Sequence, residues 1–271
     1  MPMKLLFTNL EKFKLKPGDE IHVVDGDPGA GNHGIVEIVR KSDNHFPSGI
    51  YSCADGELLL SKEQYDEIKV IRDSWTNRSG NYYYRIEKDG LIGACSSDGF
   101  LIFEPEKKDI TEFYKSVLIV KEPNGKYAAY VENGELLLEA KYDKMKSEKA
   151  FIIASTKEGE VSILSFDKVL VQDVKCSRIS KNWRFVFLQK EDSVVLCSVR
   201  GYLGEFKGIG RVRQGECMEI TVDNQKSIVN CISGKVIIPI GEYRSIKKQG
   251  DKYFAERFDG DIVTGVISLD V

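Results

Sequence analysis

Short apolar runs recur along the whole chain, each bounded by residues that favour tight turns. Val117-Leu-Ile-Val120, Lys126-Tyr-Ala-Ala-Tyr-Val131, Glu135-Leu-Leu-Leu138 and Tyr142-Asp-Lys-Met-Lys146 form one set of four. Phe151-Ile-Ile-Ala154, Val161-Ser-Ile-Leu164, Lys168-Val-Leu-Val171 and Cys176-Ser-Arg-Ile179 repeat it. Strand-length runs of β-branched and aromatic residues, with turn residues every eight to ten positions, predict an all-β protein. No stretch has a convincing helical period. The nearest, Ser61 to Ile68, aligns with Ala140-Lys-Tyr-Asp143 and reads as a turn entering a strand.

The turn residues set a longer period. Asp55-Gly56, Asp98-Gly99, Asn133-Gly134, Asp167-Lys168, Arg200-Gly201 and Ser233-Gly234 follow one another at 43, 35, 34, 33 and 33 residues. A second series, including Asp89-Gly90 and Asn124-Gly125, precedes them by about nine residues. Asx-Gly between apolar runs predicts two-residue type I′ hairpins, whose central residues both need positive φ. First strands fall near His33, Asn81, Val117, Ala150, Arg184, Cys217 and Lys252, which makes seven repeats of four strands. The last lacks two strands, and the chain begins with two spare ones, Lys4-Leu-Leu-Phe7 and Glu20-Ile-His-Val-Val24. This predicts a single seven-bladed β-propeller domain over 1–271. Blades one to six span about 33–251, and residues 252–271 start a seventh blade that residues 1–25 complete. Closure would remove open sheet edges; the alternative is a linear β-repeat array.

Gly125 to Asp143 contains Gly-Lys-Tyr, a strand, Asn133-Gly134, a strand and Lys141-Tyr-Asp143. Asp55-Gly-Glu-Leu-Leu-Leu60 with Tyr65-Asp66, and Ser233-Gly234 to Pro239 with Tyr243, follow the same plan. These stretches resemble the bacterial WG-repeat family, although Trp75 is followed by Thr76 and Trp183 by Arg184 rather than by glycine. The resemblance implies a β-repeat scaffold used for binding, with no catalytic residues to carry over.

Composition narrows the function classes. With 39 basic and 42 acidic residues, the chain lacks the basic excess of a nucleic-acid or anionic-membrane binder. No run approaches a membrane span, and the first residues do not form a signal segment. A cytoplasmic monomer with reduced thiols is therefore expected. Four of six cysteines, Cys53, Cys95, Cys197 and Cys231, occupy one repeat position just before a turn, which reads as an apolar packing column.

No cofactor motif is present. The segment from Asp25 to His33 is glycine-rich but lacks the Gly-Lys-Ser/Thr of a phosphate loop. Asp25, Asp27 and Asn32 could supply oxygen ligands to calcium, although their spacing is not that of an EF-hand. The alternative reading is a plain connecting turn.

Two connections exceed the usual three to six residues: Asp25 to His33, and Arg72 to Gly80. They fall in successive repeats, so they should be neighbours on the face that carries the blade-to-blade connections. Arg72, Trp75, Asn77, Arg78, Tyr82 and His33 are the candidate binding residues, because Trp, Tyr and Arg dominate binding hot spots. The competing reading has Trp75 filling a gap between blades, as Trp183 would. The function expected is a non-enzymatic scaffold for a protein or peptide partner. A carbohydrate-active or metal-assisted hydrolase with its site in the central channel is the alternative.

Overall fold

The computed structural model describes residues 13–26, 34–40, 48–72, 82–97, 99–165, 168–212, 217–223, 225–239, 243–249, 252–257 and 262–265. These residues form 27 strands in seven antiparallel sheets, with no α-helix among them. The first sheet is β1 (Glu20–Gly26), β2 (Gly34–Val39), β3 (Gly49–Ser52) and β4 (Leu58–Ser61). The second is β5 (Glu67–Arg72), β6 (Tyr82–Lys88), β7 (Leu91–Ser96) and β8 (Leu101–Lys107). The third is β9 (Asp109–Tyr114), β10 (Val117–Lys121), β11 (Tyr127–Val131) and β12 (Leu136–Tyr142). The fourth is β13 (Lys144–Glu148), β14 (Phe151–Ser155), β15 (Glu160–Ser165) and β16 (Lys168–Lys175). The fifth is β17 (Arg178–Lys181), β18 (Phe185–Gln189), β19 (Ser193–Ser198) and β20 (Gly201–Lys207). The sixth is β21 (Ile209–Val212), β22 (Cys217–Val222), β23 (Gln225–Asn230) and β24 (Val236–Ile238). The last has three strands, β25 (Tyr243–Gln249), β26 (Lys252–Arg257) and β27 (Ile262–Gly265). The chain divides into two compact units, 1–145 and 146–271, the division falling inside β13.

Four strands per repeat is correct, but the frame slips by one strand. What the sequence marks as the last strand of a repeat opens the next sheet. At four of the six crossings the chain passes between sheets through one or two residues, Lys108, Asp143, Cys176-Ser177 or Gly208, too few to leave a turn signature. The slip also overturns the expected closure. β1 pairs with β2, His22 opposite Glu37, and so belongs to the first sheet rather than to a blade shared with the C-terminus. A hairpin pairing between chain neighbours needs no long-range loop closure, and it wins. Among the described residues six sheets are complete rather than seven, and no strand brings the last one to four. Lys4-Leu-Leu-Phe7 lies outside the described residues.

The turns differ from expectation as well. Asp89-Gly90, with φ of 53° and 74°, is the type I′ hairpin predicted. At Gly125, Gly134 and Gly159 only the glycine has positive φ, in three-residue loops closed by paired backbone hydrogen bonds such as Val131 N to Glu135 O. The Asx residue acts through its side chain instead. Asn133 Oδ1 accepts from Glu135 N at 2.9 Å and Asn124 Oδ1 from Lys126 N at 2.9 Å, which are Asx turns.

The first to third sheets, and the fourth to sixth, pack face to face in succession, which explains why their strands read as continuous apolar runs. In β18 the residues alternate in destination. Phe185 and Phe187 pack with Met218, Ile220 and Val229 of the sixth sheet, while Val186 and Leu188 pack with Phe151, Ile153 and Ile163 of the fourth. In the first unit Tyr84 and Ile86 of β6 meet Ile35, Ile50 and Leu60 of the first sheet, while Tyr83 meets Phe113 and Leu118 of the third. The other face of the first sheet is covered by the chain itself, with Phe13 and Leu15 on Val36, Ile38 and Tyr51. The cysteine column is apolar packing: Cys53, Cys95, Cys197 and Cys231 are all buried in these clusters.

One irregularity repeats in all six complete sheets. Every pairing of a third with a fourth strand carries a register shift at the same point. Tyr51 faces Leu58 and Ile50 faces Leu60, so Leu59 bulges; Ile102, Leu137, Leu170, Leu203 and Ile237 bulge likewise. Three of the bulges, at Leu59, Ile102 and Leu203, receive the turn glycines of the next sheet, Gly99, Gly134 and Gly234. A Cβ on Gly134 would lie 2.9 Å from Ile102 O, and one on Gly99 3.0 Å from Leu59 O.

Candidate functional site

Each complete sheet has two ends. The loop end carries the connection between first and second strands and the turn between third and fourth. The crossing end carries the turn between second and third strands and the passage to the next sheet. Connections 27–33 and 73–81 join β1 to β2 and β5 to β6, so both spring from loop ends of successive sheets. Their expected correspondence is kept, but their end is opposite to the one expected, because of the one-strand slip. His33, Trp75, Asn77 and Arg78 lie outside the described residues, as do Asp27 and Asn32. Arg72 ends β5 opposite Tyr82, and Asp25 sits in β1 opposite Ile35. Tyr82 is half-buried, edge-on to Tyr84 at 5.7 Å between ring centres, so it supports the sheet at the base of the connection. Among the described residues no group of three or more His, Cys, Asp or Glu is placed to hold a metal ion.

The loop ends are where apolar surface is exposed. Of nine large hydrophobic residues exposed among those described, seven (Leu58, Phe100, Leu101, Leu136, Trp183, Tyr202 and Val236) lie there, against Leu91 and Ile209 at crossing ends. The bulge is the cause. It leaves the residue before it, Leu58, Leu101, Leu136, Tyr202 or Val236, turned to solvent at the start of the fourth strand. Trp183 sits in the turn from β17 to β18, where Asn182 Oδ1 accepts from Arg184 N and Phe185 N. At 58% exposure it does not fill a gap between sheets. Three-residue apolar runs beginning at Leu58, Leu101, Leu136 and Val236 are the sequence signal of this arrangement.

At the crossing end of the second unit, Lys175–Arg178, Gln189–Asp192 and Ile209 line a cleft of about 890 Å³. Its polar groups hold its walls. Gln189 Nε2 donates to the carbonyls of Lys190, Ser193 and Gly208 at 2.9–3.1 Å, and its Oε1 accepts from Gly210 N at 2.9 Å. Arg178 donates to Gly210 O at 2.6 Å and lies 5.8 Å from the Phe187 ring centre. Lys190 pairs with Glu205 at 2.7 Å, and that carboxylate is held below its usual range chiefly by the lysine and by Ser193. Burial raises the Cys176 thiol, only partly offset by the Arg178 amide, so the cleft shows no activated nucleophile.

The cysteines give a direct check on this packing. Burial pushes the thiols of Cys95, Cys197 and Cys231 up to about 12, whereas Cys176 is half-buried at the cleft. Partial labelling with a thiol reagent at mildly alkaline pH, read by peptide mass spectrometry, is expected to mark Cys176 first. The column cysteines should react only on unfolding. Early labelling of Cys197 would contradict the sheet packing.

No protein-family model and no curated protein matches the sequence. Among solved structures, the WD40 β-propeller domain of Doa1 aligns over 85% of this chain and 85% of its own, at 12% identity and a TM-score of 0.24. Kluyveromyces lactis Hsv2 aligns over 69% and 72%, at 10% identity and 0.26. The computationally designed Ika8 protein aligns over 87% and 79%, at 12% identity and 0.26. Scores this low carry no argument about the overall arrangement, so the fold stands on the sheets themselves.

Proposed function

We propose that this chain is a non-enzymatic scaffold of the propeller and WG-repeat kind. It would act in the cytoplasm and bind a protein or peptide partner through the loop ends of its sheets. The observation that carries the proposal is the placement of seven of nine exposed large hydrophobics at those ends. Exposed apolar side chains scattered singly need no explanation, but a set recurring at one position in five of the six complete sheets does. The connection bearing Trp75, Asn77 and Arg78 springs from the same kind of end. Bulges and seated glycines fix the exposed side chains to packed sheets, so binding spends little ordering entropy on them.

The test compares three variants for retention of partners from an extract of the native host, quantified by mass spectrometry. Trp183→Ala with Tyr202→Ser, and Trp75→Ala with Arg78→Ala, are each expected to reduce specific retention by about tenfold or more, as loss of aromatic or arginine anchors does. Both should leave the melting transition nearly unchanged. Leu91→Ser with Ile209→Ser, at crossing ends, should retain what the wild type retains. Equal loss from the crossing-end pair would overturn the assignment.

A further inference from the structure

The exposed row at the loop ends changes its charge between the two units. In the first unit, the residue before the exposed position is Glu57 at Leu58 and Glu135 at Leu136, with Glu132 exposed in the adjoining turn. In the second unit, Arg200 ends the turn before the exposed Tyr202, Lys235 precedes the exposed Val236, and Lys168 precedes Val169, which is half-buried at the same position of the fourth sheet. All six charged residues are exposed. Elsewhere the strands pair their charges, as in Lys126 with Asp143 and Lys226 with Glu219. No ion pair among the described residues uses the side chain of Glu57, Glu135, Lys168, Arg200 or Lys235.

We propose that the partner at these loop ends is a second copy of this chain. The acidic apolar row of one molecule's first unit docks on the basic apolar row of another molecule's second unit. This rests on the loop-end reading above and replaces the monomer expected from composition. The two rows occupy the same position of the same repeat, so both step by one sheet packing distance, about 10 Å. Matching steps let Glu57 and Glu135, two sheets apart, face Lys168 and Lys235, also two sheets apart, while apolar side chains meet between them. Near-balanced net charge hides this polarity, because the opposite signs are segregated by unit. Complementary rows of this kind set orientation and exclude like-charged partners.

Sedimentation velocity on the full chain tests the proposal. The wild type is expected to self-associate at low salt, and the association should weaken by about tenfold or more when salt shortens the screening length to about 8 Å and below. Glu57→Lys with Glu135→Lys makes both rows basic, and Lys168→Glu with Lys235→Glu makes both acidic. Each variant alone should be monomeric and should melt as the wild type does. Mixed in equal amounts, the two should associate again. A wild type that stays monomeric at high concentration and low salt would overturn the proposal, and so would a mixture that fails to associate. Partner retention that still depends on Trp183 and Tyr202 in a monomeric wild type would sink only the second copy and keep the loop-end reading.

Discussion

Replacing Gln189 with alanine is expected to lower the stability of the second unit by about 3–5 kcal/mol, because one buried amide shares its N–H groups among three carbonyls and accepts one backbone N–H, and only the Ser193 carbonyl has a further bond, from Lys190 N. Gln189 is 6% exposed and stands where the β18–β19 turn meets the passage from the fifth to the sixth sheet. Its bonds to Gly208 O and Gly210 N hold that passage, and those to Lys190 O and Ser193 O hold the turn. Alanine removes all four at once, and water entering from the adjacent cleft recovers only part. Gln189→Glu sharpens the test. At neutral pH its carboxylate faces three carbonyl oxygens, so this variant should be at least as unstable as Gln189→Ala. The carboxyl's folded-state pKa is then raised above its unfolded value, so stability should recover as pH falls through that raised value. Urea midpoints across pH measure both effects. A midpoint for Gln189→Ala close to wild type would mean that the passage is held by packing alone.

How much of this was legible in the sequence depends on the length scale. The strands and the repeat were, because β-branched runs bounded by turn residues, often Asx-Gly, recur at a steady spacing. The cysteine column was legible as apolar because Tyr130 and Val131 stand at the corresponding place in another repeat. The sheet boundaries were not. Asp143 passes the chain from β12 to β13 without a glycine or proline, so Tyr142-Asp-Lys-Met-Lys146 reads as one strand. Lys115-Ser116, with φ of 48° and 66°, makes a two-residue turn without the glycine or Asx that favours positive φ; tertiary packing on both flanking strands imposes it. The bulge was visible only in retrospect. A period-two strand cannot bury Leu58, Leu59 and Leu60 alike, and the structure exposes the first, bulges the second and buries the third. Of the binding residues proposed from the sequence, Tyr82 supports the sheet. Trp183, weighed there as packing between blades, is exposed, as are Phe100 and Tyr202.

Asp19→Leu should uncover one face of the first sheet and cost about 3–5 kcal/mol, the penalty for leaving a buried charge without its partner. The side chains of Asp19 and Arg40 are 1% and 4% exposed and meet at 2.6 Å. Arg40 also donates to Phe13 O at 2.9 Å, and Asp19 Oδ2 accepts from Lys16 N at 3.0 Å. The pair therefore ties the segment bearing Phe13 and Leu15 onto Val36, Ile38 and Tyr51. Without that cover the first sheet loses the packing of Phe13 and Leu15 on Val36, Ile38 and Tyr51. Faster amide exchange at Val36 and Ile38, with little change in β10, would localise the loss. Asp19→Leu combined with Arg40→Met removes both charges and should recover most of the deficit, as apolar replacement of a buried pair does elsewhere. If Asp19→Leu costs no more than an exposed pair, about 1 kcal/mol or less, the cover is held by Phe13 and Leu15 rather than by the ion pair. The double variant would then be no more stable than the single one.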